Sequence, residues 1–187
     1  MNRLIKALST ITSWMERMNI SYMVFGGIAN SIYGNPRQTF DVDIKFSLES
    51  KYKMEQFVEE LKSIAILLPD EPIQFIKETN VIPVEIDDVR VNLVVADLPF
   101  EIEAIQKSMY VEFSNIKIKV CLPEDLIIQK AVSTREKDWL DIRNVIENQR
   151  DKMDWNYLLK HCKDLSDFLN NNQIYDRIKK WKNEERL

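Results

Sequence analysis

Two aspartates separated by one residue, Asp41 and Asp43, are the side chains of this sequence that most strongly indicate chemistry. They lie in TFDVDIKF, where polar and apolar residues alternate as in a β-strand. In an extended strand the two carboxylates point to the same side, about 6–7 Å apart. At an effective dielectric constant of about 20 they repel each other by about 2–3 kcal/mol. We therefore expect a cation between them.

The chain has only three glycines, and all of them lie shortly before these aspartates, at Gly26, Gly27 and Gly34. Gly26 and Gly27 precede a predicted helix, where phosphate oxygens can approach the backbone N–H groups because no side chain intervenes. Arg37 adds a guanidinium that can bind phosphate as a fork, and Thr39 adds a hydroxyl donor. Carboxylate oxygens select Mg²⁺ or Mn²⁺, ions that bridge proteins to nucleotide phosphates. The pattern predicts a site for a metal and a triphosphate.

The elements around these residues predict how they are positioned. SYMVF at 21–25 is typical of a short buried strand, and GGIANSIYG of a glycine turn that enters a helix ending at Gly34. TFDVDIKF then forms a strand with two different faces. Its buried face would hold Phe40, Val42, Ile44 and Phe46, and its charged face Asp41, Asp43 and Lys45.

The rest of the chain predicts a mixed sheet followed by helices. An amphipathic helix opens the sequence, and a second is predicted from KYKMEQFVEELKSIAILL, at 51–68. Two or three strands are expected between Pro72 and Ala96, with a hairpin turn at Asp87–Asp88. A helix at PFEIEAIQKSM and the strands YVEF and KIKVCL around Ser114–Asn115 follow, and helices continue from Pro123. The predicted fold class is α/β (α+β), a small mixed β-sheet flanked by helices, with a core domain at 1–122 and a helical portion at 123–187 packed on it.

Composition excludes several classes of protein. The net charge of −4 and the sequence pI of about 5.2 argue against a surface that binds nucleic acid throughout. Cys121 and Cys162 are far apart, so neither a disulfide framework nor a zinc site is indicated, and a reducing cytoplasm is expected. The opening helix lacks a continuous apolar run, which predicts no signal peptide, no membrane span and no membrane partner.

The stretch FGGIANSIYGNPRQTFDVDIKF resembles the nucleotidyltransferase superfamily related to DNA polymerase beta. That superfamily has a Gly-Gly or Gly-Ser pair and then, at a set distance, Asp-x-Asp between hydrophobic residues. The step from Gly34 to Arg37 and Thr39 resembles the branch with the toxin nucleotidyltransferases of type IV toxin–antitoxin, or abortive-infection, systems. The resemblance implies a nucleotidyltransferase fold in which Asp41 and Asp43 bind the metal and are catalytic.

A second segment, EDLIIQKAVSTREKDWLDI at 124–142, resembles the helical part of the same branch. The resemblance implies that Lys130 reaches the nucleotide phosphates, as Gly26, Gly27, Arg37 and Thr39 do. It also implies that Asp138 orients cationic partners or the helix pair. The other matching positions are Arg135, Lys137 and Asp141. Asp138 and Asp141 are also compatible with surface ion pairs to Lys137 and Arg135, and Lys130 with a solvated position on its helix.

One position departs from the superfamily, which usually has a third carboxylate on a later strand. Here that strand is VRVNLVVADLPFE, and the matching catalytic position is Asn92. An amide oxygen can bind a metal, but it carries no charge and cannot take a proton from an attacking hydroxyl. If the hairpin register differs from the predicted one, Asp97, Glu85, Asp87 or Asp88 could substitute.

These observations predict a metal-dependent nucleotidyltransferase. It would move a nucleoside monophosphate from a nucleoside triphosphate to a hydroxyl acceptor, which could be an RNA 3′ end, a protein or a small molecule, and release pyrophosphate. The alternative is a catalytically impaired nucleotide-binding or regulatory module of the same fold, marked by Asn92. In either case an antitoxin or another partner protein is compatible with the sequence.

Overall fold

The computed structural model describes residues 2–48 and 53–184. The helices in this part of the chain are α1 Arg3–Arg17, α2 Gly26–Tyr33, α3 Met54–Leu61, α4 Pro72–Thr79, α5 Pro99–Lys107, α6 Pro123–Ala131, α7 Glu136–Gln149, α8 Trp155–Phe168 and α9 Gln173–Asn183. A 3₁₀ turn at Arg150–Lys152 follows α7. The strands are β1 Ser21–Val24, β2 Asp41–Ser47, β3 Ile66–Leu67, β4 Val81–Ile86, β5 Val89–Val95, β6 Met109–Phe113 and β7 Ile116–Val120.

The strands form one mixed sheet in the order β3-β4-β5-β2-β1-β7-β6. Strand β2 is central, parallel to β5 on one side and antiparallel to β1 on the other. Strand β1 also pairs with β7 in parallel. Helices α1 and α5 contact this central region. The predicted fold class, a mixed sheet flanked by helices, is confirmed.

Both hairpins form where the sequence predicts them. The β4–β5 turn has Asp87 at φ 52° and Asp88 at φ 60°, and the β6–β7 turn has Ser114 at φ 50° and Asn115 at φ 66°. Two central residues with positive φ are the mark of the tight turn that matches the twist of an antiparallel pair. Asp and Asn tolerate this left-handed conformation better than most residues do.

Two predicted elements are wrong in part. The helix expected at 51–68 is limited to α3, because Ile66–Leu67 pairs with β4 and covers its edge. The start of that prediction, Lys51 and Tyr52, lies outside the described residues. The segment after Pro72, expected to be a strand, is helix α4, with the proline in its first turn, where the missing N–H is not needed.

The buried face of β2 is shorter than predicted. Val42, Ile44 and Phe46 are fully buried, and the Phe46 ring stacks on Phe57 with 4.6 Å between centroids. Phe40, predicted to share that face, is 74% exposed. The reason is that β2 begins only at Asp41, so the alternation of the strand does not extend to Phe40.

The chain divides into two compact units. The first takes the described residues within Met1–Ile28 and Gln38–Cys121, including the whole sheet. The second takes those within Ala29–Arg37 and Leu122–Leu187, with a buried core from Ile127, Ile142, Val145, Leu158 and Ile178. The division at residue 122, with the helical portion packed on the core, stays a prediction. Within residues 2–48 and 53–184, no helix combines the length and the apolar character needed to cross a bilayer.

Candidate active site

The corner between β1 and α2 explains two of the three glycines. Gly26 has φ +62°, and a Cβ built on it would lie 2.1 Å from Oδ2 of Asp43. A Cβ on Gly27 would lie 2.4 Å from Oγ1 of Thr39. Only glycine accepts such approaches, and Gly26 also adopts the left-handed conformation without steric cost. The corner therefore requires glycine so that Asp43 and Thr39 can lie against it.

Gly34 has a different role, because it lies at the end of α2 within the second unit. Its N–H donates to the Asn30 carbonyl at 2.8 Å. A Cβ on Gly34 would lie 3.1 Å from that carbonyl oxygen and 3.2 Å from a methyl group of Val145. Tight helix packing is thus enough to explain this glycine.

Three polar side chains on β2 and β5 form what we refer to as the carboxylate site: Asp41, Asp43 and Asn92. Asp43 lies opposite Asn92 in the parallel register of the two strands. Oδ1 of Asp43 accepts a hydrogen bond from Nδ2 of Asn92 at 2.9 Å. Oδ1 of Asp41 accepts one from the Thr39 hydroxyl at 3.0 Å. All three side chains are half-buried, so they are fixed by the sheet and still reach solvent.

The donors of the carboxylate site fit one divalent ion. Asp41 and Asp43 supply hard oxygen ligands, and Mg²⁺ commonly combines one or two carboxylates with water and substrate phosphates. No cluster of three or more acidic, histidine or cysteine side chains suited to a metal exists among the described residues. Of the four acids considered as substitutes for a third carboxylate, Asp87 binds Lys6 at 2.7 Å and Asp88 binds Arg3 at 2.9 Å.

The other two substitutes also have structural positions. Glu85 lies opposite Arg90 in the antiparallel β4–β5 pair. The N–H of Asp97 donates to Glu101 at 2.9 Å, ahead of α5. The register therefore keeps Asn92, and none of these acids, opposite Asp43.

Sequence reasoning missed one cation at this site. The Nε of Arg90 donates to Oδ1 of Asn92 at 2.9 Å, and Arg90 lies opposite Asp41 in the β2–β5 register. A usable signal was present in VRVN, because a period of two places Arg90 and Asn92 on the same face of β5.

Lys45, the third charged residue of β2, is only 6% exposed. Its ammonium pairs with Glu101 of α5 and lies 5.5 Å from the centre of the Phe25 ring. Burial acts to raise the pKa of Glu101, but the hydrogen bond and charge of Lys45 outweigh it and lower the pKa. The N–H of Leu98 also donates to Glu101, at 3.1 Å. The Lys45–Glu101 ion pair therefore links β2 to α5.

The second unit contains the two remaining predicted nucleotide-binding cations, and we refer to Arg37, Lys130, Asp138 and Asp141 as the ion cluster. Arg37 donates to both carboxylate oxygens of Asp141, at 3.3 Å from Nε and 3.0 Å from Nη2. Lys130 donates to Asp141 at 2.8 Å and to Asp138 at 3.0 Å. The side chains of Lys130, Asp138 and Asp141 are at most 10% exposed. Asp141 thus binds both cations, a link that the sequence did not predict.

Asp138 is bound by three donors. Burial alone would raise its pKa, but hydrogen bonds from Ser133 and Lys130, the Lys130 charge and a hydrogen bond from Arg135 lower it to about 2. The Ser133 hydroxyl lies 2.6 Å and the Arg135 Nε 2.7 Å from Asp138. Lys137, in contrast, is exposed. Asp138 is therefore a buried anion that orders the start of α7.

Sequence comparison identifies one family. The profile of a family described as nucleotidyltransferase of unknown function (DUF6036) matches residues 1–186. Among curated proteins, none matches the sequence significantly.

Comparison of folds finds several similar solved structures. An antigenic nucleotidyltransferase-like protein from Paracoccidioides brasiliensis is similar over 78% of this chain and 76% of its own, with 19% identity and a TM-score of 0.54. The antibiotic-resistance factor ANT(2'')-Ia is similar over 76% of this chain and 82% of its own, with 17% identity and a TM-score of 0.51. The lincosamide antibiotic adenylyltransferase LnuA, bound to lincomycin, is similar over 75% of this chain and 94% of its own, with 16% identity and a TM-score of 0.50. At these identities the likeness concerns the fold.

Proposed function

Because the chain belongs to a family of nucleotidyltransferases of unknown function, we propose that it transfers a nucleoside monophosphate from a nucleoside triphosphate to a hydroxyl acceptor. Pyrophosphate is the other product. The observation that carries this proposal is the carboxylate site, in which Asp41 and Asp43 lie on one face of β2 with Gly26 against Asp43. Two carboxylates of like charge at that spacing favour a bound cation.

Asp41 and Asp43 would hold Mg²⁺ or Mn²⁺ through their carboxylate oxygens. Such an ion would neutralise phosphate charge and polarise a phosphoryl oxygen of the nucleotide. Thr39 holds the carboxylate of Asp41, and Asn92 holds that of Asp43, so both ligands are preorganised. Gly26 and Gly27 let Asp43 and Thr39 lie against the start of α2, and the phosphate-binding role of the two glycines stays a prediction. The phosphate-binding roles of Arg37 and Lys130 stay predictions.

We favour a small-molecule acceptor. Two of the proteins with a similar fold are described as an antibiotic adenylyltransferase bound to lincomycin and as an antibiotic-resistance factor. The net charge of −4 weighs against a long nucleic acid as acceptor. An RNA 3′ end and a protein hydroxyl are the competing acceptors, and the role in a toxin–antitoxin system stays a prediction from sequence resemblance.

Asn92 favours a second candidate function, a nucleotide-binding module with impaired catalysis. An amide cannot act as the base that takes the proton of an attacking hydroxyl. Under this alternative the protein binds the metal and the nucleotide but does not catalyse nucleotidyl transfer.

Calorimetric titration of the four ribonucleoside triphosphates with Mg²⁺, followed by a pyrophosphate assay with cell extract, tests the proposal. Wild type and Asp43→Asn should be compared with Asp70→Asn, which changes an exposed aspartate of the same unit. We expect binding in wild type and Asp70→Asn, loss of binding in Asp43→Asn, and pyrophosphate release that follows binding. Binding without release would favour the impaired module. No binding to wild type would overturn both functions.

A further inference from the structure

Arg90 lies next to the carboxylate site and is connected to it. In the β2–β5 register Arg90 is opposite Asp41, and Asn92 is opposite Asp43. The guanidinium donates to the Asn92 amide, and that amide donates to Asp43, each at 2.9 Å between heavy atoms. A chain of two hydrogen bonds therefore joins an exposed cation on β5 to a carboxylate on β2.

The chemistry of the two partners fixes the orientation of the Asn92 amide. A carboxylate accepts hydrogen bonds and a guanidinium only donates them. The NH₂ group of Asn92 must therefore face Asp43, and its oxygen must face Arg90. The reversed amide would bring oxygen against oxygen and N–H against N–H, so no such alternative competes.

This orientation decides how many ions the site can hold. The amide oxygen is the only metal-binding atom of Asn92, and it faces the guanidinium of Arg90. A guanidinium stays positively charged at all ordinary pH values and repels a divalent ion at that position. Since no third acidic, histidine or cysteine ligand joins Asp41 and Asp43 in the described chain, the residues fit one ion there and do not fit a second at Asn92.

The net charge contributed by Arg90 and Asn92 nevertheless equals the charge that a third carboxylate and a second ion would contribute. A third carboxylate with its own divalent ion would carry a net single positive charge. Arg90 with the neutral Asn92 carries the same charge. Arg90 is exposed and uses only its Nε in the bond to Asn92, which leaves the Nη groups able to bind phosphate oxygens as a fork.

We propose that Arg90, oriented by Asn92, replaces the third carboxylate and its ion, so that the site takes one divalent ion and Arg90 binds a phosphate oxygen of the nucleotide directly. This inference rests on the proposed nucleotide-binding function. It assigns Asn92 a positioning role and Arg90 a binding role. Asn92 and Arg90 then balance the phosphate charge that a third carboxylate and its ion would otherwise balance.

Counting bound Mn²⁺ by electron paramagnetic resonance, with the α,β-methylene analogues of the four ribonucleoside triphosphates, tests this proposal without turnover. We expect one Mn²⁺ per wild-type chain at saturation and two in the double variant Asn92→Asp/Arg90→Ala, which adds the third carboxylate and removes the guanidinium that repels the second ion. Arg90→Ala should weaken binding of the analogue by about tenfold or more, because a charged hydrogen bond to phosphate is lost. Arg17→Ala, which removes an exposed arginine at the end of α1, should leave affinity unchanged.

Different results would overturn the role of Arg90 and the proposed nucleotidyltransferase function. Two Mn²⁺ ions in wild type, or unchanged analogue affinity in Arg90→Ala, would overturn the role of Arg90 while Asp43-dependent nucleotide binding still stood. No analogue binding to wild type would overturn the proposed function and this inference together. Circular dichroism of each variant separates loss of binding from loss of fold.

Discussion

The carboxylate site of the first unit and the ion cluster of the second both gather charged side chains, but they balance charge differently. In the ion cluster, buried Lys130 binds Asp138 and Asp141 directly, and Arg37 adds a second cation on Asp141. In the carboxylate site, two like charges share a face of β2, the neutral Thr39 and Asn92 donate to them, and the guanidinium of Arg90 donates to Asn92. The difference indicates that the cluster stabilises its unit, whereas the carboxylate site favours a ligand cation.

Removing the shared anion of the ion cluster should have the largest effect on stability. Asp141→Asn leaves Lys130 and Arg37 with one partner fewer in a buried setting, and we expect a loss of about 3 kcal/mol in the free energy of unfolding. Urea unfolding measures it, with Asp164→Asn, an exposed aspartate of α8, as the matched control. A loss equal to that of the control would show that the cluster does not hold the second unit together.

The glycine corner tests the carboxylate site through its backbone. Gly26→Ala forces a side chain into the left-handed region and 2.1 Å from Asp43 Oδ2, and we expect it to lower the free energy of unfolding by about 2 kcal/mol. The change should also abolish Mn²⁺ binding because Asp43 must move. Gly34→Ala, where a Cβ would lie no closer than 3.1 Å to its neighbours, should cost less and spare Mn²⁺ binding. An equal loss of Mn²⁺ binding in Gly26→Ala and Gly34→Ala would contradict a role of the Gly26–Asp43 contact in metal binding.

We expect Asp138 to make the ion cluster sensitive to acid. Because its pKa is lowered from 3.8 to about 2 in the folded state, the stabilisation is present above the unfolded pKa and is lost as the pH falls. Between about pH 4 and pH 2 wild type should lose about 2 kcal/mol more than Asp138→Asn. Denaturant unfolding at several pH values measures this difference. Parallel pH profiles for the two proteins would exclude Asp138 as the source.

The smallest expected effect has the opposite sign and separates the two regions most clearly. Asp43→Asn relieves the repulsion from Asp41 and keeps an oxygen that can accept from Asn92, so stability in metal-free buffer should rise by about 1 kcal/mol. Thermal unfolding without divalent ions measures it, against Asp70→Asn. A clear loss of stability would mean that Asp43 is a structural anion like Asp141.

Much of the fold follows from local sequence. Alternating residues predict β2, Asp87–Asp88 and Ser114–Asn115 predict hairpin turns, and Pro123 begins α6 as expected. Ile66–Leu67 could not be predicted, because its apolar run has no clear period and only pairing with β4 decides its state.

Part of the carboxylate site could also be predicted from local sequence. Glycine spacing and Asp-x-Asp are local signals, and the β5 register places Asn92 opposite Asp43. The Arg90–Asn92–Asp43 chain depends on two strands meeting in one register, and the Asp141 contacts join residues far apart in sequence. Such long-range contacts are set by tertiary packing, which residue patterns do not specify.

The most direct test of nucleotidyl transfer at the carboxylate site is transfer of label from α-³²P ribonucleoside triphosphates to components of a cell extract, with Mg²⁺, by wild type and by Asp41→Asn. We predict a labelled product with wild type and none with Asp41→Asn, while Asp70→Asn labels as wild type does. Equal labelling by wild type and Asp41→Asn, or no labelling by a wild type that binds the nucleotide, would contradict a transferase built on the carboxylate site.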